Sequence, residues 1–407
     1  MGVEYKNERS GRATAPPLPV SFGKPTTENR RFGLRFTSTT RISTPMEERV
    51  YNFSAGPAVL PLSVLKKAQE DLLCLPGCGA SILEISHRSK QFGEILAQTK
   101  ANVRELLNVP ENYKIMFLQG GSITQFALLP MNIIRNTDKV GDYIVTGTWS
   151  KKAASEAKTQ GKVNVIWNGQ DEKFVRKPSD AELQTSENAA YCYYCANETI
   201  EGIQFPTEPN VSVPLICDAS SEIFSRPVQM DKYGVLFACA QKNAGPAGVT
   251  LVIMRDDFVE MSGADLPCML SYKQLADKDS MLNTPPTFGI YIMKLVTDWL
   301  KEEGGLEVMR QKNVEKAQLL YDAIDASNGF YKVHGNKEFR SFMNVSFRLP
   351  TEELDKKFQE EAKAFKLASL GGHRSVGGER ASIYNAMPRE GVVALRDFMV
   401  DFAKKNA

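Results

Sequence analysis

The sequence predicts an α/β protein: a large domain on a mostly parallel, helix-covered sheet, followed by a smaller C-terminal α+β domain. Two observations carry this. Short apolar runs alternate with helical or turn segments between about 114 and 254, the pattern of strands covered on both faces. Beyond Glu303-Gly304-Gly305 the pattern changes to three helices and two short strands.

The first 48 residues stand apart. They are rich in Arg, Thr, Ser and Pro and show no sustained hydrophobic period, which reads as a disordered extension. An organellar leader is the alternative, although Glu4, Glu8 and Glu28 spoil the acid-poor signature. The expected location is therefore the cytoplasm, with plastid or mitochondrion as the alternative.

Order is expected from Val50-Tyr51-Asn52-Phe53-Ser54-Ala55-Gly56-Pro57, a short extended segment ending in a turn. Pro61 fits the first position of a helix to about Leu75. The loop Ser81–Ser89 carries an exposed His87-Arg88 pair. A helix follows, with Phe92, Ile95, Leu96, Val103, Leu106 and Leu107 on one face. Strands are predicted at Lys114–Gln119, Tyr143–Thr146, Val163–Trp167, Ala190–Cys195, Val213–Cys217, Val235–Ala240 and Thr250–Met254. Helices are predicted at Thr124–Ile134 and Ser150–Thr159. A rigid connector, Leu282–Phe288, leads to a helix ending near Leu300. The second domain has helices near Val314–Ala326, Glu352–Phe365 and Val392–Lys404, and strands near Tyr331–His334 and Met343–Phe347.

Composition excludes several classes. In 407 residues the formal charge is +2, which gives no electrostatic case for nucleic acid or an anionic membrane. No apolar run approaches the ~18 residues of a membrane span. Seven unevenly spaced cysteines look like reduced thiols, and Cys192-x-x-Cys195 lies in a predicted core strand without a second pair, so no metal site is expected.

In a mostly parallel sheet, ligands sit at the carboxyl ends of the strands. Gly120 to Ile123, Thr148-Trp149, Asn197 to Thr199, Asp218 and Lys242 all fall there. Lys242 follows a buried strand, where desolvation disfavours an ammonium and favours an amine able to attack a carbonyl. A surface lysine in a hairpin turn is the alternative. Gly120-Gly121-Ser122-Ile123 before a helix presents N–H groups to an anion, or is merely a structural turn. Asp218 either caps a following helix or keeps the ring nitrogen of pyridoxal phosphate protonated. Trp149 either stacks on a flat cofactor or fills the core. Two histidines of three precede arginine, at His87-Arg88 and His373-Arg374, the latter bracketed by glycine pairs and followed by Arg380. Several guanidinium forks imply a small, multiply anionic substrate.

Eight motifs then stand in one order: Asn52–Pro57, Ser86-His87-Arg88, Gln119-Gly120-Gly121, Thr148-Trp149-Ser150, Asn197–Gly202, Gln241–Gly248, Asn283–Thr287, and Gly372–Gly378 with Asn385-Ala386-Met387. Together they resemble the phosphoserine aminotransferases from about residue 50 to the C-terminus. The resemblance implies a fold-type I, pyridoxal 5'-phosphate-dependent homodimer with shared active sites. It also implies a large domain at 63–310 and a small one at 50–62 and 311–407. Lys242 would be the Schiff-base lysine, Asp218 the pyridinium partner and Trp149 the stacking ring, with Thr199 near the phenolate oxygen. Ser122, Ile123 and Gln241 would hold the phosphate, with Asn283 and Thr284 from the second subunit. Arg380 would bind the α-carboxylate, and His87, Arg88, His373 and Arg374 would surround the distal phosphate or carboxylate. The substrates would be L-glutamate with 3-phosphohydroxypyruvate, giving 2-oxoglutarate and O-phospho-L-serine. 4-Phosphohydroxy-L-threonine is a further candidate.

Ile123 departs from members with arginine there, and Ser122 from those with a third glycine, which requires negative φ. Three other readings fit less well. A different transaminase or desulfurase of this fold would need one carboxylate-binding arginine, not a cluster. A nucleotide-binding dehydrogenase would need GxGxxG and an acidic ribose partner, and a non-catalytic protein would not need Lys242 and Asp218.

Overall fold

A computed structural model describes residues 49–263, 265–373 and 377–407. The predicted N-terminal extension and Arg374 lie outside the described residues. Residues 49–407 form one compact unit.

Its centre is a seven-stranded sheet. In spatial order the strands are Tyr113–Leu118, Thr250–Arg255, Tyr233–Cys239, Leu215–Asp218, Ala189–Cys195, Val140–Val145 and Lys162–Asn168. Thr250–Arg255 runs antiparallel to both neighbours, and every other adjacent pair is parallel. Alternate side chains enter opposite cores. Ile115, Phe117, Leu236 and Ala238 pack with the helices Lys90–Leu107 and Thr287–Glu302. Met116, Leu118, Val235 and Phe237 pack with Gly121–Ile133 and Thr148–Ala157 on the other side. Both faces are dry, which is why the strands read as continuous apolar runs.

A second core lies on a three-stranded antiparallel sheet of Lys332–Val333, Asn344–Arg348 and Glu379–Ser382. The helices Gly305–Asp325, Glu352–Ala364 and Arg389–Asn406 cover it with Leu320, Phe358, Leu395 and Phe402. Phe53, from the other end of the unit, is fully buried in the same core, and Tyr51–Asn52 pairs in parallel with Leu367–Ala368.

Two local readings change. Pro61 is the cap before the helix Leu62–Leu73, not its first residue, because its ψ of 136° is extended. Glu379–Ser382 is a strand where the sequence reading assigned no element. Among the described residues no helix is long and apolar enough to cross a membrane.

Candidate active site

Four parallel strands, Val140–Val145, Ala189–Cys195, Leu215–Asp218 and Tyr233–Cys239, end along one edge of the sheet. The segments that follow them line a cavity of about 390 Å³, within the range of small-molecule sites. Ser122, Ile123, Trp149, Thr199, Asp218, Gln241, Lys242, His373 and Arg380 all reach it.

Lys242 lies in the single helical turn Ala240–Asn243, which connects two antiparallel strands. The hairpin alternative was thus right about the backbone, but the half-buried side chain enters the cavity. Its Nζ donates to Thr199 Oγ1 at 2.6 Å and lies 5.6 Å from the centre of the Trp149 ring. The turn is held by Asn243, whose Nδ2 donates to the Ile223 carbonyl at 2.6 Å.

Asp218 is the last residue of its strand, with no helix directly after it. Its Oδ1 accepts from the Ser220 N–H at 2.9 Å. Burial raises its carboxyl pKa above the usual range, while Ser220 and the Lys242 charge pull it back. Ser220 Oγ accepts from the Cys239 N–H at 2.9 Å and shares a hydrogen bond with Ser122 Oγ at 2.8 Å. The acid's neighbourhood is thereby tied to the Gly120–Ser122 turn.

In that turn Gly120 and Gly121 have φ of +94° and +71°. A Cβ on Gly120 would lie 2.3 Å from Thr124 Oγ1, so side chains are excluded there. Ser122 lies in the helix Gly121–Ile133 and is absent from the positive-φ residues, so serine is unstrained. Gly121 N–H donates to Thr250 Oγ1 at 3.0 Å, fixing the helix end to the sheet.

Arg380, on the neighbouring three-stranded sheet, donates from Nη1 to the Thr199 carbonyl at 3.4 Å. Desolvation lowers its pKa, partly offset by Tyr384 and Glu201. The remaining candidates stand elsewhere. Asn283 and Thr284 are exposed, Arg88 is exposed and His87 half-buried, and none of the four lines this cavity.

Sequence reasoning missed two acids. Glu198 and Glu201 flank Thr199 and are both buried, at 0% and 4% exposure. Glu198 Oε2 accepts from the Trp149 N–H and Oε1 from the Ser150 N–H, each at 3.0 Å. Glu201 Oε1 accepts from the Thr148 N–H at 2.9 Å. They cap the helix that carries Trp149 and so set where its indole stands. Their signal was visible: acids three apart, directly after a fully apolar strand.

This site suits pyridoxal phosphate. The helix end accepts an anion, Asp218 is a buried acid that a cationic ring nitrogen would satisfy, and the buried Trp149 Nε1 has no hydrogen-bond partner among the described residues. Lys242 supplies the amine. The fold and the site define a fold-type I, pyridoxal-phosphate-dependent enzyme.

Residues 50–395 match the class-V aminotransferase family. The chain is 54% identical to a phosphoserine aminotransferase of Rhodopirellula baltica, covering 88% of this chain and 96% of that one. It is 49% identical to phosphoserine aminotransferase 1, chloroplastic, of Arabidopsis thaliana, over 89% of this chain and 84% of the relative. The solved phosphoserine aminotransferase from Bacillus circulans subsp. alkalophilus superposes with a TM-score of 0.86 at 46% identity, covering 88% and 99% of the two chains. A pyridoxal-phosphate-bound phosphoserine aminotransferase from Trichomonas vaginalis gives 0.82 at 42% identity, over 86% and 99%. The chain belongs to the class-V aminotransferases and, within them, to the phosphoserine aminotransferase family.

Proposed function

We propose that the protein transfers the amino group between L-glutamate and 3-phosphohydroxypyruvate, giving 2-oxoglutarate and O-phospho-L-serine. One juxtaposition carries this reading: the Lys242 amine, the Asp218 carboxyl, the Trp149 ring and the Arg380 guanidinium share one cavity. Bound pyridoxal phosphate supplies the aldehyde that accepts the amino group and the ring that takes up the charge developed at Cα.

The chain's own groups do the rest. Lys242 Nζ removes the α-proton of glutamate and later returns a proton to the carbon that becomes Cα of phosphoserine. Thr199 Oγ1 restrains that amine while it waits. Asp218 holds a proton on the atom facing it, and its burial keeps the pairing strong. Trp149 closes one side of the cavity against water. Ser122, Ile123 and Gln241 hold the cofactor's phosphate at the helix end. Arg380 takes the α-carboxylate common to both substrates, and His87, Arg88, His373 and Arg374 receive the distal carboxylate or phosphate.

We further propose a homodimer with shared sites, in which Asn283 and Thr284 reach the partner's cofactor phosphate. The division into a large domain at 63–310 and a small one at 50–62 with 311–407 is also our reading, supported by Phe53 in the second core. We place the enzyme in the cytoplasm; its co-purification with plastids or mitochondria would overturn that.

The test is borohydride reduction of the purified yellow protein followed by peptide mapping, with turnover measured on a panel of amino donors and keto acids. The reduced cofactor is expected on Lys242. Lys242→Ala should lower turnover at least about a thousandfold. An adduct on another lysine, or a preference for non-phosphorylated keto acids, would defeat the assignment.

A further inference from the structure

Glu201 is an acid in an unusual position. It is 4% exposed, and neither it nor Glu198 takes part in an ion pair among the described residues. Oε1 is held by the Thr148 N–H at 2.9 Å and by Thr148 Oγ1 at 2.5 Å, while the buried Oε2 has no hydrogen-bond partner among the described residues. The space beside it is tight, since a Cβ on Gly147 would come within 2.7 Å of Oε2. Helix capping therefore accounts for one oxygen only.

Glu201 also lines a small cleft whose other walls include Arg380, Arg348, His334 and His373. Arg380 is anchored to the protein by a 3.4 Å hydrogen bond to the Thr199 carbonyl, not by a carboxylate. The Glu201 charge acts on it, opposing the effect of burial. Burial first, and then the neighbouring Glu201, push the Glu198 carboxyl up to about 8.

We propose that Glu201 is an affinity-setting residue of the transamination: its carboxylate opposes the Arg380 guanidinium and so limits how tightly the site holds a substrate α-carboxylate. This rests on Arg380 as the carboxylate-binding group proposed above. Both products carry the same α-carboxylate as the substrates, so a guanidinium without this opposition retains product. Binding that is uniform between substrate and transition state does not raise kcat. The buried acid trades excess affinity for release.

The sign of the effect separates this role from a structural one. In the holoenzyme, Glu201→Gln keeps an acceptor for Thr148 and removes the charge. We expect KM for glutamate and for 2-oxoglutarate to fall at least threefold together, with kcat falling as release slows. A merely structural acid would give a higher KM, and an unchanged or raised KM overturns the proposal. Should Glu201→Gln fail to fold, Thr148→Val serves, because it keeps the carboxylate and removes one of the two hydrogen bonds that neutralise it, leaving more of its charge to act on Arg380. KM should then rise at least twofold, and an unchanged or lower KM refutes the inference. A wild-type protein with no glutamate-dependent turnover would instead sink the functional assignment itself.

Discussion

Glu379 stands next to Arg380 on the strand Glu379–Ser382 and is 1% exposed. Oε1 accepts from Gln359 Nε2 at 2.9 Å, and the buried Oε2 has no partner. Burial pushes this carboxyl from 4.5 up to about 8, with Gln359 pulling it back and Asp355 adding to the rise. Because the folded value is the higher one, the native protein keeps a proton that the unfolded chain releases. The resulting stabilisation is complete below about pH 4.5 and is lost as pH rises through about 8. Thermal melts should show stability falling from pH 5 to pH 8. Glu379→Gln should remove part of that slope, on the order of 2–3 kcal/mol; an unaltered slope would disprove the account. The same chemistry explains what was legible residue by residue. Lys242, Asp218, Trp149 and Thr199 could be read because each follows an apolar strand, and position on a sheet implies a place in the site. Glu198 and Glu201 follow an apolar strand too, but were passed over, since an acid in a sequence is taken as solvated until a helix end is seen to meet it.

At the level of elements, the turn carrying Lys242 is braced by a segment far along the chain. Asn243 Oδ1 accepts from the Asn385 N–H at 2.9 Å, and Asn385 Nδ2 donates to the Phe224 carbonyl at 2.8 Å. That segment is fastened in turn by Lys316, a 4% exposed lysine on the helix Gly305–Asp325. Its Nζ lies within hydrogen-bond distance of the carbonyls of Ile383, Tyr384, Asn385 and Met387, from 2.8 to 3.4 Å. Lys316→Met removes the donor and leaves buried carbonyls unpaired, which should cost about 3 kcal/mol in denaturant unfolding. A loss below about 0.5 kcal/mol would mean that the brace is dispensable. Nothing in the local pattern marks this lysine, because its partners are backbone atoms some seventy residues away. The strands of the large sheet were legible to within a few residues, because both of their faces are dry. Glu379–Ser382 was not, since only Ala381 in it is apolar, too little to mark a strand.

For the whole molecule, the distribution of the anion-binding candidates argues for the paired assembly. His87, Arg88, Asn283 and Thr284 belong to motifs shared with the family, yet none reaches the cavity of its own chain. Ile123, which does line that cavity, leaves 47% of its surface uncovered. A single chain thus has a cofactor cradle with an open apolar lip, and donors with no ligand of their own to meet. The two-fold dimer proposed above would resolve both, because one contact repeated by symmetry would close each cradle with the other chain's donors. The family resemblance placed Asn283 and Thr284 in the second subunit, which no periodicity or spacing in the chain itself could indicate. Subunit mixing decides it. Lys242→Ala lacks the amine but offers Asn283 and Thr284, whereas an Asn283→Ala/Thr284→Ala double variant offers the amine alone. Each homodimer should be nearly inactive. Unfolding the two together and refolding them at equal amounts should restore roughly a quarter of wild-type turnover, since half of the dimers are mixed and each holds one complete site. If every site were built within one chain, mixing would return only the average of the two parents. In that case Asn283 and Thr284 would have no part in holding the cofactor.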